Sequence, residues 1–133
     1  MIKTILGFLL IFQVALLADF KDVDVDDLSK LMQKNVPVID IRTPSEWKQT
    51  GVIKGAKKIM FFDERGKYDI DKWMSQFSKV VKDKNQPFVL VCRTASRTKM
   101  VGRFLSQQMG YKNVLELKGG ITNWLRHNKE VVK

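Results

Sequence analysis

Pro87-Phe88-Val89-Leu90-Val91-Cys92-Arg93-Thr94-Ala95-Ser96-Arg97-Thr98 is the stretch on which the reading of this chain turns. Its apolar run, ending at Val91, predicts a buried strand, and Cys92 follows directly. Arg93 to Thr98 is a short basic turn rich in hydroxyls. Beyond it Met100, Val101, Phe104, Leu105 and Met109 recur on one face of a helix expected over 97–109. A strand, a tight loop and a helix start together aim backbone N–H groups and the positive helix end at whatever the loop holds. A sulfur anion is stabilised in such a place, so Cys92 is a candidate nucleophile, with Arg93 and Arg97 adding positive charge. The bland alternative is an inert structural cysteine, because free Cys is often buried.

Outward from this stretch the chain alternates strands and helices. Phe20 to Val25 reads as a short edge strand, and Asp26 or Asp27 as the cap of a helix carrying Leu28, Leu31 and Met32. Val36 to Ile41 is a continuous apolar run, as in a strand buried on both faces. Pro44 and Ser45 start a brief helix that Gly51 stops, and Lys57 to Met60 is a further short strand. After the polar loop Asp63 to Lys67, Ile70, Trp73, Met74, Phe77, Val80 and Val81 follow at helical spacing. Val114 to Leu117 is the last strand expected, and Ile121, Trp124 and Leu125 line a final helix. The pattern predicts an α/β domain with a central, mostly parallel sheet of about five short strands and helices on both faces. Ligands of such sheets bind beyond the carboxyl ends of the strands, where Cys92 falls.

The 133 residues suit a single domain with its own core, and 44% hydrophobic with 29% charged residues is ordinary for a globular protein. A single cysteine excludes an intramolecular disulfide and any multi-cysteine metal site, and neither metal nor cofactor is called for. Lys3 followed by the apolar run Ile5 to Ala18 describes a signal peptide over residues 1–18, or an uncleaved N-terminal anchor. The folded domain is then 19–133 and the protein exported, periplasmic or secreted, with a membrane as partner only if the segment stays attached. Its loss lowers the net charge only from +10 to +9, so the basic character belongs to the domain and favours anionic partners. Basic and aromatic residues do not interleave as in a nucleic-acid platform.

Other chemistry-bearing residues have quieter explanations. Trp47, Trp73, Trp124 and the methionines fall on apolar helical faces and read as core. His127 stands alone and reads as a helix-end surface residue. Asp40 and Arg42, at a strand end, either support the site or pair with each other or with Glu46; the structural role is favoured. Gly51, Gly55, Gly119 and Gly120 read as turn glycines.

Three stretches flanking the cysteine loop carry a resemblance: Val38-Ile39-Asp40-Ile41-Arg42 with Glu46-Trp47, Gly51 to Ala56, and Leu117-Lys118-Gly119-Gly120-Ile121 with Trp124. With them the chain from Phe20 to Trp124 resembles a single-domain rhodanese, a sulfurtransferase. Cys92 and Arg97 bracket a six-residue loop, whereas related phosphatase-type domains use one residue more. The resemblance implies that a Cys92 thiolate takes the outer sulfur of a small anionic donor such as thiosulfate and becomes a persulfide. Arg93, Thr94, Ala95, Ser96, Arg97 and Thr98 would form the substrate cradle. Cyanide, a thiol or a protein acceptor would then remove the sulfur. Val52 stands where the family often has histidine, Lys54 where it often has proline, and Ala95 where glycine is common. If position 95 needs positive φ, alanine there costs about 1 kcal/mol. Two other readings stay open beside this one. One is a persulfide carrier that serves a dedicated protein partner without turnover; the other, a phosphatase or arsenate reductase, is disfavoured by the short loop.

Overall fold

Side chains alternate across the strand that precedes Cys92, and the alternation builds two cores. The computed structural model describes residues 20–133; the apolar segment 1–18 lies outside them. Strand β5 (Phe88–Val91) sends Phe88 and Leu90 to one face and Val89 and Val91 to the other. All four are buried, as a central parallel strand requires. Around it lie β1 (Phe20–Val23), β2 (Val38–Asp40), β4 (Lys57–Lys58) and β6 (Val114–Leu117), in the order β1-β6-β5-β2-β4 with every pairing parallel. The protein is therefore the α/β type expected, with β1 on an edge.

Helices α3 (Ile70–Val80) and α4 (Ser96–Arg103) cover the Phe88 face with Trp73, Phe77 and Val101. Helices α1 (Val25–Gln33) and α5 (Gly120–Arg126) cover the other with Val25, Leu28, Ile121 and Trp124. The short helix α2 (Pro44–Thr50) buries no side chain. Trp47, read as core, is thus only half-buried, with the Lys58 ammonium 5.6 Å from its ring centre. Trp73 and Trp124 are buried and donate their indole N–H to Ile59 O and Glu130 O.

Further differences from the sequence reading have local causes. The cap of α1 is Asp24, not Asp26 or Asp27, because its carboxylate accepts from Asp27 N at 2.8 Å and starts the helix at Val25. Helix α4 begins at Ser96 and gives way over Phe104–Gln108 to a π-helical stretch, where Met109 N donates to Phe104 O at 3.1 Å. A second sheet was not anticipated: β3 (Val52–Ile53) pairs antiparallel with β7 (Val131–Val132) near the C-terminus.

Asp40 and Arg42 are both buried and hold each other. Arg42 Nη2 and Nε lie 2.8 and 3.0 Å from Asp40 Oδ2 and Oδ1. The guanidinium also donates to Thr50 Oγ1 at 2.8 Å and Gly51 O at 2.9 Å. The pair therefore ties the end of β2 to the end of α2, and Glu46 has no share in it.

Candidate active site

Cys92 follows β5 directly, and its side chain is wholly buried on the face shared with α4. The chain must turn within three residues to enter α4, and Ala95 makes the turn in the left-handed conformation, at φ 79° and ψ 7°. The positive φ considered for this position is thus present, and a non-glycine residue adopts it at the helix cap. The turn aims Ala95 N–H at Cys92 Sγ, 3.2 Å away. A donor at that distance stabilises negative charge on sulfur.

The start of α5 holds the loop from behind. The N–H groups of Ile121 and Thr122, in the first turn of α5, donate to Cys92 O at 2.9 Å and Arg93 O at 3.1 Å. These two bonds fasten the start of the loop to α5 through its carbonyls. A Cβ on Gly120, whose φ is 60°, would stand 2.5 Å from both carbonyl oxygens. Gly120 is therefore more than a flexible turn: the space left by its missing side chain lets α5 seat the loop.

The loop side chains divide into rim and floor. Arg93, Thr94 and Ser96 are exposed at the rim, whereas Ala95 and Thr98 are buried. Arg97 lies between and forms a two-pronged pair with Glu46, each N–O distance being 2.7 Å. Glu46 belongs to a capping box with Thr43 at the start of α2, which fixes its carboxylate. The Arg97 hydrogen bonds, opposed by partial burial, bring the Glu46 carboxyl from its ordinary 4.5 down to about 2. The same pair raises the guanidinium still further above its usual range. Arg97 is thus a brace between loop and α2, its charge compensated, while Arg93 is the exposed cation of the loop.

A cleft of about 740 Å3 opens over the loop, bordered by Arg93, Thr94, Ser96, Glu64, Phe62 and Met100. Phe62 and Met100 continue into an apolar recess of about 240 Å3 with Tyr68, Ile70 and Phe104. Met100, read as core, is 57% exposed here because it lies on the outer side of α4. A separate pocket of about 440 Å3 beside Trp47, Lys58 and Tyr68 includes no loop residue. Asp40 and Arg42 do not line the cleft, and His127, at the end of α5, is exposed.

Reasoning from sequence missed Glu46 and Glu116 as neighbours of the loop. The Thr43-Pro44-Ser45-Glu46 capping pattern could have placed Glu46 at a helix start, but its partner lies 51 residues away. Glu116 carried a plainer signal, an acid inside the apolar strand Val114-Leu115-Glu116-Leu117. It is buried, accepting from Thr98 Oγ1 at 2.6 Å and Lys99 Nζ at 2.8 Å.

Known proteins share this fold. A family model described as Rhodanese-like domain matches residues 24–127. A protein of Allochromatium vinosum named Sulfurtransferase is 32% identical over 113 residues, which is 84% of this chain and 94% of its own. The solution structure of the 30 kDa polysulfide-sulfur transferase homodimer from Wolinella succinogenes matches with a TM-score of 0.66 at 26% identity, over 95% of this chain and 87% of that one. A rhodanese-related protein from Thermoplasma volcanium shares the fold, with a TM-score of 0.64 at 22% identity over 84% and 97% of the two chains.

Proposed function

The chain belongs to the rhodanese-like domain family, with a sulfurtransferase-type function, and from that premise we propose that Cys92 carries the transferred sulfur as a persulfide. The observation that carries this reading is the cradle itself: Ala95 N–H lies 3.2 Å from the buried Cys92 Sγ, in the loop whose Arg93, Thr94, Ser96 and Arg97 line the cleft. The Cys92 thiolate attacks the outer sulfur of an anionic donor such as thiosulfate, the S–S bond of the donor breaks, and sulfite leaves with its electron pair. The outer sulfur of the new persulfide takes the negative charge, and the loop N–H groups between Arg93 and Thr98 hold it. An acceptor (cyanide, a thiol or a protein thiol) then attacks that outer sulfur and returns Cys92 as thiolate. The two half-reactions share one covalent intermediate, so ping-pong kinetics follow. Arg93, exposed at the rim, draws in the donor anion. The name of the Wolinella protein makes polysulfide a second donor to assay beside thiosulfate.

Thiocyanate formed from thiosulfate and cyanide, and abolished by Cys92→Ser, is the expected result. A second reading, a carrier that gives its sulfur only to a partner protein, draws support from the exposed Met100 and apolar recess at the cleft mouth. It predicts one added sulfur on Cys92 by intact mass, with no thiocyanate. Hydrolysis of an aryl phosphate without sulfur transfer would overturn both. The reading includes export, with the segment before Asp19 acting as the signal; N-terminal sequencing of the native protein beginning at Met1 would refute cleavage.

A further inference from the structure

The transfer steps leave one buried carboxyl unused, although it stands two hydrogen bonds from the reacting sulfur. Glu116 is only 3% exposed, on the face of β6 that α4 covers. Its Oε1 accepts from Thr98 Oγ1 at 2.6 Å, and its Oε2 pairs with Lys99 Nζ at 2.8 Å. Thr98 is wholly buried, and its Oγ1 also lies 3.7 Å from Cys92 Sγ. A hydroxyl has one proton to donate. While that proton points to Glu116, a lone pair faces the sulfur. This suits a thiol, whose S–H can be accepted, and opposes a sulfur anion.

We propose that the Cys92 sulfur and the Glu116 carboxylate compete for the single hydroxyl proton of Thr98, so that Glu116 holds back the empty thiolate and not the loaded persulfide. The inference rests on Cys92 being the sulfur carrier. In the empty site the thiolate calls for the Thr98 proton, and the hydroxyl meets that demand only by turning away from Glu116. The turn is a rotation about the Cβ–Oγ1 bond; no proton leaves the oxygen. It removes a charge-assisted hydrogen bond from a buried carboxylate, which keeps only Lys99. After loading, the charge sits on the outer sulfur among the loop amides. The inner sulfur is then neutral and divalent, a weak acceptor, and the Thr98 proton returns to Glu116. The empty anion is disfavoured and the loaded one is not. Glu116 is a positioning residue, acting through Thr98.

The test uses full-length protein stripped of sulfur by cyanide and alkylated with iodoacetamide at neutral pH, followed by intact mass. Glu116→Gln weakens the competitor and should speed alkylation about tenfold. Glu116→Asp keeps the charge but draws it back by one methylene, and should also speed it. In a Thr98→Val background the Glu116→Gln change should have no effect, whereas Thr98→Ser should restore it. An alkylation rate within about twofold of the parent in both Glu116 variants would overturn the proposal. So would equal acceleration in the Thr98→Val background, which indicates a field effect without a shared proton. Failure of the parent to gain sulfur from thiosulfate or polysulfide would instead sink the carrier reading, and the alkylation rates distinguish the two failures.

Discussion

Arg93 and Arg97 lie four positions apart in one loop, yet their surroundings give them different work. Both guanidinium prongs of Arg97 meet Glu46, a geometry that lysine cannot reproduce. Arg97→Lys should therefore loosen the loop and lower kcat, while Arg93→Gln should raise the KM for thiosulfate severalfold with kcat nearly unchanged. Steady-state kinetics on both variants checks the division. The pair also sets an acid limit. Because folding lowers the Glu46 carboxyl from 4.5 to about 2, its contribution is complete above the ordinary value and is lost as pH falls through that window. Urea unfolding between pH 6 and pH 2 should show a smaller loss in Glu46→Gln than in the parent. At Ala95 opposing effects nearly cancel. Glycine would relieve about 1 kcal/mol of left-handed strain but forfeit a buried methyl worth about 0.8 kcal/mol. Ala95→Gly should thus shift unfolding free energy by less than about 1 kcal/mol, measurable by urea titration.

The elements around the loop are held at points where a small change is costly. Gly120→Ala would press a Cβ onto the carbonyls of Cys92 and Arg93 in a left-handed conformation, so α5 and the loop must part. A loss of about 2 kcal/mol or more in stability, together with sulfur loading, is expected and is read by thermal melting and intact mass. Asp40→Ala would strand the buried Arg42 guanidinium at the junction of β2 and α2, costing about 3–5 kcal/mol; calorimetry should show it. Elements whose evidence is local were legible in the sequence. The run Phe88 to Val91 announces a strand, and the spacing of Ile70, Trp73 and Phe77 announces a helix. The β3–β7 pairing was not, because two-residue strands such as Val52–Ile53 have no periodicity to read and their partner arrives from the other end of the chain. The cysteine loop was legible as strand, turn and helix start. The carboxylates behind and beside it were not, since Glu46 and Glu116 reach Arg97 and Thr98 only through tertiary folding.

Taken whole, the molecule is strongly basic. Its +10 charge should steer anionic donors toward the cleft. Raising ionic strength from about 0.01 M to about 0.15 M shortens the screening length from about 30 Å to about 8 Å, so kcat/KM for thiosulfate should fall. An uncharged donor should show no such fall; equal sensitivity for both would point to an effect of salt on the protein. The depth of Cys92 has a separate consequence, for selectivity among reagents. None of the surface of Cys92 is reached by solvent, while Arg93, Thr94 and Ser96 of its loop are exposed. A slender reagent such as iodoacetamide can enter, whereas a bulky aromatic disulfide meets the rim first. Adding one sulfur moves the reactive atom outward by about 2 Å, the length of an S–S bond. If Cys92 carries sulfur as proposed, the domain sorts its reaction partners by thickness: narrow molecules fill it, and broad ones, a protein surface included, meet the sulfur only once it has been raised to them.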